Sequence, residues 1–251
     1  MPHILLTKPA EQAERWQQAL QKAGWQATTW PLLALEDLPE TAVQRAVWLD
    51  LDQFQGVIMI SPRAAEICAR AIDTWWPQPP VGVHFLGSGS GTALAFQALC
   101  PALTLHIPDR GNRAEDMLAL PETQTVSGER WLIVAGEGGR TLLEDTLTER
   151  GARVTRLAVY RRQALSLPAA AHELLKTMAG EKGIVQVSSM LALESLTSQV
   201  ALVTKQKVRL LLSSPRLASR ARELGWMHIL QADGASLEAT LATLAEHRTL
   251  T

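Results

Sequence analysis

Short apolar runs recur along the chain, and each is followed by a small or polar turn and a helix-like stretch. In the first half the runs lie near residues 3–7, 26–30, 56–60, 82–86 and 103–107. In the second half they lie near residues 131–135, 153–157, 183–187, 208–212 and 227–231. Continuous apolar runs are typical of strands that are covered on both faces. The alternation of strands and helices therefore predicts doubly wound α/β domains with parallel sheets.

The two halves of the chain repeat one another. Ile4 aligns with Trp131 and Gly24 aligns with Gly151, so the offset is 127 residues. The same offset places Ser61 on Ser188. Three matches at one offset indicate an internal duplication of an α/β unit. Both glycines follow a helix-like stretch, where a left-handed backbone conformation at the helix end is favoured.

Composition and charge exclude several classes of protein. The 251 residues carry a formal net charge of −1, so no global charge favours nucleic acid or an anionic membrane. No apolar run approaches 18 residues, and the N-terminus turns polar too early for a signal peptide. The two cysteines are too few for a disulfide framework. These features predict a cytoplasmic protein that does not span a membrane.

The glycine-rich turn at residues 136–139 suggests a nucleotide site, but it is incomplete. Gly136 and Gly138 are followed by Thr141 where a dinucleotide loop needs its third glycine. The second strand of that unit is not followed by the acidic residue that would hold a ribose. The six histidines are scattered, and none pairs at a spacing typical of metal ligands. We therefore expect no cofactor and no metal.

Small and basic residues instead follow six of the predicted strands. They are Thr7-Lys8-Pro9, Ser61-Pro62-Arg63, Gly87-Ser88-Gly89, residues 136–140, Ser188-Ser189 and Ser213-Ser214-Pro215. Ligands of open parallel sheets bind at the carboxyl ends of the strands, and helix N-termini attract anions. Each serine alone is explained equally well as a helix N-cap. Together the six sites favour a ligand with several negative charges.

Five segments, in this order, give the chain a resemblance to the uroporphyrinogen-III synthase family over nearly its whole length. The segments are "ILLTKPAEQAERWQQALQKAGWQATTWPLL", "GVIMISPRAAEI", "GSGSGTALAF", "IVAGEGGRTLLEDTLTERGARVTRLAVYRR" and "SSPRLASRARELGW". The most distinctive piece is the G-E-G-G-R turn that precedes V-Y-R-R. One departure is Lys8, where the family more often has arginine, so the charge is kept but a planar two-pronged donor is lost.

The resemblance implies a cofactor-independent lyase of tetrapyrrole, porphyrin and heme biosynthesis. Its substrate would be the linear hydroxymethylbilane, which carries eight carboxylates. Loss of water would give an azafulvene cation, and ring D would invert through a spiro intermediate as the macrocycle closes to uroporphyrinogen III. The protein would mainly impose the shape of the closing substrate. Transient contact with the bilane-forming enzyme is a possible interaction, and we expect no nucleic-acid or membrane partner. The sequence gives no sign of the oligomeric state, so a monomer is the default expectation.

The same resemblance implies a domain arrangement and functional residues. Residues 1–36 plus 165–251 would form one α/β domain and residues 39–162 the other, joined by a two-stranded connection, with the substrate in a cleft between them. Tyr160 would assist departure of the substrate hydroxyl. The predicted substrate-binding residues are Ser61, Arg63, Gly89, Thr92, Gly138, Gly139, Arg140, Ser188, Ser189 and Ser214.

Two other interpretations fit parts of the sequence. A two-domain protein that binds a small polyanion without catalysis would share duplicated α/β halves. A nucleotide-dependent oxidoreductase would use the glycine loops. Product analysis with hydroxymethylbilane, without added metal or nucleotide, would separate these interpretations from a synthase.

Overall fold

A computed structural model describes residues 2–180 and 183–249 of the chain. The strands of these residues, in chain order, are β1 (His3–Leu6), β2 (Gln26–Thr29), β3 (Leu33–Asp37), β4 (Gly56–Met59), β5 (His84–Gly87), β6 (Leu105–His106), β7 (Arg130–Gly136), β8 (Arg153–Ala164), β9 (Ile184–Val187), β10 (Arg209–Leu212) and β11 (His228–Gln231). The α-helices are α1 (Ala10–Lys22), α2 (Ala42–Leu49), α3 (Pro62–Trp75), α4 (Ser90–Gln97), α5 (Ala114–Met117), α6 (Leu142–Glu149), α7 (Ala169–Gly180), α8 (Met190–Gln199), α9 (Leu202–Lys207), α10 (Pro215–Glu223) and α11 (Leu237–Thr249).

The chain folds into two compact units. Unit 1 comprises residues 1–34 and 163–251, and unit 2 comprises residues 35–162. The chain passes from one unit to the other within β3 and again within β8, and these two strands are neighbours in one sheet. The hydrophobic pattern does not predict β3, because four of its five residues are only half-buried, Leu35 is exposed, and the strand is not a continuous apolar run.

Unit 1 contains a five-stranded sheet in the order β2-β1-β9-β10-β11, with each neighbouring pair parallel. Counted along the chain this is the 2-1-3-4-5 order of flavodoxin-like folds. Alternate residues of a strand point to opposite faces of the sheet. Ile4 and Leu6 therefore pack in one core layer with Trp16 and Leu244, while Leu5 packs in the opposite layer.

Unit 2 contains a six-stranded sheet in the order β3-β8-β7-β4-β5-β6. Its central strands β7 and β4 are buried on both faces, since Leu132 and Ile133 belong to different core clusters. The five strands from β8 to β6 have the same 2-1-3-4-5 arrangement when β7 and β8 count as the first two. The predicted α/β fold class with two parallel sheets is confirmed.

Glycines end the corresponding helices of the two repeats in the same way. Gly24 follows α1 with φ of +79°, and Gly151 follows α6 with φ of +90°. In each case the next residue donates its backbone N–H back into the last helical turn, from Trp25 to Leu20 and from Ala152 to Leu147. This is the helix-end motif that glycine favours, so the prediction at both positions is confirmed.

Candidate functional site

The predicted site residues lie at the carboxyl ends of the strands, in both units. In unit 2 the switch point is between β7 and β4, because the chain continues to β8 on one side and to β5 on the other. In unit 1 the corresponding point lies between β1 and β9. Ligands of doubly wound sheets bind at such points, where neighbouring connections leave in opposite directions.

Tyr160 lies at the unit 2 switch point, beside the end of β7. A bulge shifts the register of β8, so that Ala135 pairs with Ala158 but Gly136 pairs with Tyr160. The backbone N–H of Glu137 donates to the Tyr160 carbonyl at 2.8 Å. A Cβ atom on Gly136 would lie 2.6 Å from Cε2 of the Tyr160 ring, so only glycine leaves room for the ring in this position.

The phenol of Tyr160 meets the hydroxyl of Ser61. Tyr160 is only 2% exposed, and its Oη lies 3.0 Å from Ser61 Oγ. Ser61 is the N-cap of α3, and its Oγ accepts the backbone N–H of Ala64 at 3.2 Å. Because an acceptor bond leaves the serine proton free, Ser61 can donate to Tyr160, which then keeps its own proton for another acceptor.

Arg63 follows Ser61 by two residues, in the first turn of α3, and it is bound by carboxylates of the protein. Its guanidinium donates two hydrogen bonds of 2.8 Å to Asp37 and one of 2.6 Å to Glu66. Partial burial alone would raise the pKa of Asp37, but hydrogen bonds from Arg63 and Arg70 lower it. This network ties α3 to the end of β3 and occupies the donors of Arg63.

The glycine-rich turn after β7 is open to solvent. Gly138 and Gly139 have φ of +68° and +92°, a conformation that favours glycine, and no atom lies within 4 Å of a Cβ built on Gly138. The Gly138 carbonyl accepts a 2.7 Å hydrogen bond from Arg156. The Arg140 side chain is 82% exposed, with Glu115 at 3.9 Å. The turn thus offers exposed backbone and one weakly held cation.

The second glycine run of unit 2 leads from β5 into α4. Gly89 is the N-cap residue of α4. Thr92 is 2% exposed, and its hydroxyl lies 2.9 Å from that of Ser88. A cavity of about 220 Å³ lies beside Gly89 and is also lined by Pro62 and Asn112. The structure therefore presents the Gly89 backbone next to open space, and Thr92, although almost fully buried, also lines this cavity.

The serines of unit 1 lie at two neighbouring strand ends. Ser189 caps α8 by accepting the N–H of Ala192 at 3.2 Å, and Ser214 caps α10 by accepting that of Leu217 at 3.3 Å. Ser188 lies between them, and its carbonyl accepts a 3.3 Å hydrogen bond from Ser213. The N-cap explanation thus holds for two of the predicted residues, while their hydroxyl protons stay available to a ligand.

Three polar residues near the strand ends of unit 1 are not among the predicted site residues. Lys8 follows β1 and is 7% exposed, and Gln186 lies within β9 and is 1% exposed. Arg216 follows Ser214-Pro215 and is exposed, with no ion pair among the described residues. A glutamine inside the apolar run "GIVQV" is the one signal that marked Gln186 as unusual.

In residues 2–180 and 183–249, no group of three or more His, Cys, Asp or Glu side chains is placed to hold a metal ion. Over the same ranges, every helix is too short or too polar to cross a membrane.

Comparison with protein families and relatives gives one consistent result. Residues 14–242 match the family model described as uroporphyrinogen-III synthase HemD. The uroporphyrinogen-III synthase of Escherichia coli (strain K12) is 35% identical over 248 residues, covering 96% of this chain and 99% of that protein. The enzyme of the same name from Salmonella typhimurium (strain LT2) is 32% identical over 248 residues, with the same coverage.

Solved structures show the same fold at low sequence identity. Uroporphyrinogen-III synthetase from Helicobacter pylori aligns with a TM-score of 0.62 and 15% identity, covering 100% of both chains. A mutant uroporphyrinogen III synthase from the extremely thermophilic bacterium Thermus thermophilus aligns with a TM-score of 0.59 and 18% identity, covering 99% of this chain and 98% of that one. At these identities the likeness speaks for the fold alone.

Proposed function

The chain belongs to the uroporphyrinogen-III synthase family, and from that premise we propose how its residues carry out the family's reaction. The reaction closes linear hydroxymethylbilane to uroporphyrinogen III with loss of water and inversion of ring D. The observation that carries the assignment is the contact between Tyr160 and Ser61 at the unit 2 switch point.

Tyr160 assists departure of the substrate hydroxyl. A phenol carries an O–H donor, so Tyr160 can donate a hydrogen bond to the leaving oxygen. Ser61 can supply the complementary hydrogen bond, because its oxygen accepts the N–H of Ala64 and its own proton stays available to the phenol oxygen. The low exposure of Tyr160 means that a substrate oxygen reaches the phenol only where water is largely excluded, which strengthens the hydrogen bond.

The carboxylates of the substrate are held by backbone donors and hydroxyls at the strand ends. In unit 2 these are Ser61, Gly89, Thr92, Gly138, Gly139 and Arg140, and in unit 1 they are Ser188, Ser189 and Ser214. Helices α3, α8 and α10 each begin with a serine cap, so their first turns present N–H groups and partial positive charge. We assign the two units to the two domains of the enzyme.

The test supplies purified protein with freshly generated hydroxymethylbilane and resolves the products by chromatography. We expect the type III isomer without added metal or nucleotide. Formation of only the type I isomer, which arises by unassisted closure, would refute synthase activity and favour a binding protein without catalysis.

Tyr160→Phe tests the assigned role directly, because it keeps the ring and removes the donor. We expect turnover to fall on the order of 10²-fold, while any macrocycle formed by the enzyme remains type III. Ser198→Ala removes a hydroxyl bonded only within α8 and serves as the control, with an expected rate close to wild type. A wild-type rate for Tyr160→Phe would remove Tyr160 from the mechanism.

A further inference from the structure

Lys8 is a buried cation without an anionic partner. Its Nζ lies 3.3 Å from the carbonyl of Ala235 and 4.2 Å from the centre of the Trp16 ring. No carboxylate of the described residues lies within ion-pair distance of it. Burial lowers the pKa of Lys8. Buried charges in proteins are normally paired, so Lys8 is placed to pair with an anionic ligand.

Gln186 is a second buried polar residue in the same part of unit 1, and a hydrogen bond to its side-chain oxygen is missing among the described residues. Its Oε1 is buried and has no hydrogen-bond partner in the described residues. The hydroxyl of Thr7 donates to the backbone carbonyl of Gln186 at 2.8 Å, so it does not satisfy the side chain. A buried acceptor without a partner costs free energy, and natural proteins usually avoid that cost.

Lys8 and Gln186 face the same core layer at the same end of the sheet. Leu6 and Gln186 are register partners on the parallel strands β1 and β9. Leu6 packs in the layer that contains Trp16, and Lys8 follows Leu6 by two residues with its ammonium over that same ring. Alternation along the strand therefore places both polar side chains on one face, at the unit 1 switch point.

We propose that Lys8 and Gln186 form a subsite in unit 1 that binds one carboxylate of the linear tetrapyrrole. This rests on the proposed function, which supplies a ligand with eight carboxylates. The ammonium of Lys8, which lies over the Trp16 ring, exchanges its 3.3 Å contact with Ala235 for the ligand carboxylate. Ala235 is exposed, so water can satisfy its carbonyl instead. The Gln186 amide turns so that its NH₂ group donates to the ligand and its Oε1 accepts from the Lys8 ammonium.

The subsite predicts opposite changes in stability and in affinity for Lys8→Met. Methionine keeps an unbranched apolar side chain beside Trp16 and removes the buried positive charge. The variant should therefore unfold at a higher temperature than wild type. Its KM for hydroxymethylbilane should rise by about tenfold to a hundredfold, as expected for loss of a charged hydrogen bond, with a smaller change in kcat. Lys8→Arg, which keeps the charge, should restore most of the affinity.

Binding is also measured without catalysis, by calorimetry with uroporphyrin III as a stable octacarboxylate. Lys8→Met should bind it at least about tenfold more weakly than wild type. Lys207→Met, which removes an exposed lysine of the same unit, should bind it as wild type does. Unchanged affinity and KM in Lys8→Met, while wild type still makes type III product, would overturn the subsite and leave the proposed function standing.

Gln186→Glu provides an independent variant in which the protein carries its own anion. A carboxylate at residue 186 would pair with Lys8 and compete with the ligand. We expect binding of uroporphyrin III to weaken by at least about tenfold relative to Gln186→Leu, which also removes the unpaired amide but adds no charge. Equal affinities of these two variants would contradict the proposal.

Discussion

Gly136 leaves room for the Tyr160 ring, and alanine at this position tests whether the placement of the ring matters for turnover. A Cβ atom there would lie 2.6 Å from Tyr160 Cε2 and 2.7 Å from Cζ, whereas ordinary contact begins at 3.4 Å. The ring must therefore move by about 0.8 Å. Gly136 does not have a positive φ, so alanine adds no backbone strain and the effect is steric.

The expected cost follows from this displacement. Overpacking of a buried site typically lowers the free energy of unfolding by about 1–3 kcal/mol. A shift near 1 Å in a catalytic group can reduce the rate by about tenfold to a hundredfold, and Tyr160 would also separate from Ser61. We therefore expect Gly136→Ala to lower kcat by that factor, measured under saturating hydroxymethylbilane, with type III product retained.

A second glycine in the same unit provides the matched control. A Cβ on Gly56 would collide with the Trp131 ring, at the opposite end of the central strands from Tyr160. Gly56→Ala should lose comparable stability but keep kcat near wild type once the folded fraction is taken into account. If kcat falls equally in both variants, or if Gly136→Ala has the kcat of wild type, the reasoning about the Tyr160 ring is wrong.

Two further predictions concern charged groups. Arg63→Gln should lower the free energy of unfolding by about 1 kcal/mol, since the ion pairs with Asp37 and Glu66 are partly exposed. Its KM should change by less than about threefold, and a much larger rise would mean that the guanidinium leaves Asp37 to bind substrate. The buried Lys8 should make the free energy of unfolding depend on pH in the alkaline range. Because folding lowers its pKa below 10.5, the unfolded chain binds more protons in that window, so wild type should gain stability relative to Lys8→Met as pH rises toward 10.5. Denaturant titrations at several pH values measure this, and an opposite slope would contradict the burial argument.

The positions of the central strands and the fold class could be predicted because a strand covered on both faces must be apolar throughout. The pairing of strands could not be read from that pattern. The repeat alone would place β1 beside β4, but β1 pairs with β9 and β7 pairs with β4. Both arrangements bury the same apolar residues, so hydrophobicity does not distinguish them.

The side-chain contacts of the candidate site depend even more strongly on residues that are distant in the sequence. Serines at strand ends were predictable, since the residue before a helix favours a hydroxyl that can accept a backbone N–H. The bulge that pairs Tyr160 with Gly136 has no sequence signal of its own. Gln186 shows only as a polar residue in an apolar run, and the sequence does not reveal that its side chain lacks a partner.

The two Ser-Pro-Arg segments show how tertiary context decides the role of a local motif. Ser61 and Ser214 are both N-caps followed by proline, so the sequence produces the same helix start in both units. Arg63 then meets Asp37 on β3, which provides a bidentate partner. Arg216 has no ion pair among the described residues, since unit 1 places no such acid beside it.

The same distinction applies to all basic residues near the strand ends. A cation that is already paired with a protein carboxylate must break that pair before it binds a substrate carboxylate. The free energy lost with the first ion pair offsets most of the free energy gained from the second. Arg63 is in that position, whereas Arg140 has only a 3.9 Å contact with Glu115. Among the basic residues in or next to the six strand-end segments, Arg140 in unit 2 and Lys8 and Arg216 in unit 1 can therefore respond to a ligand with many carboxylates.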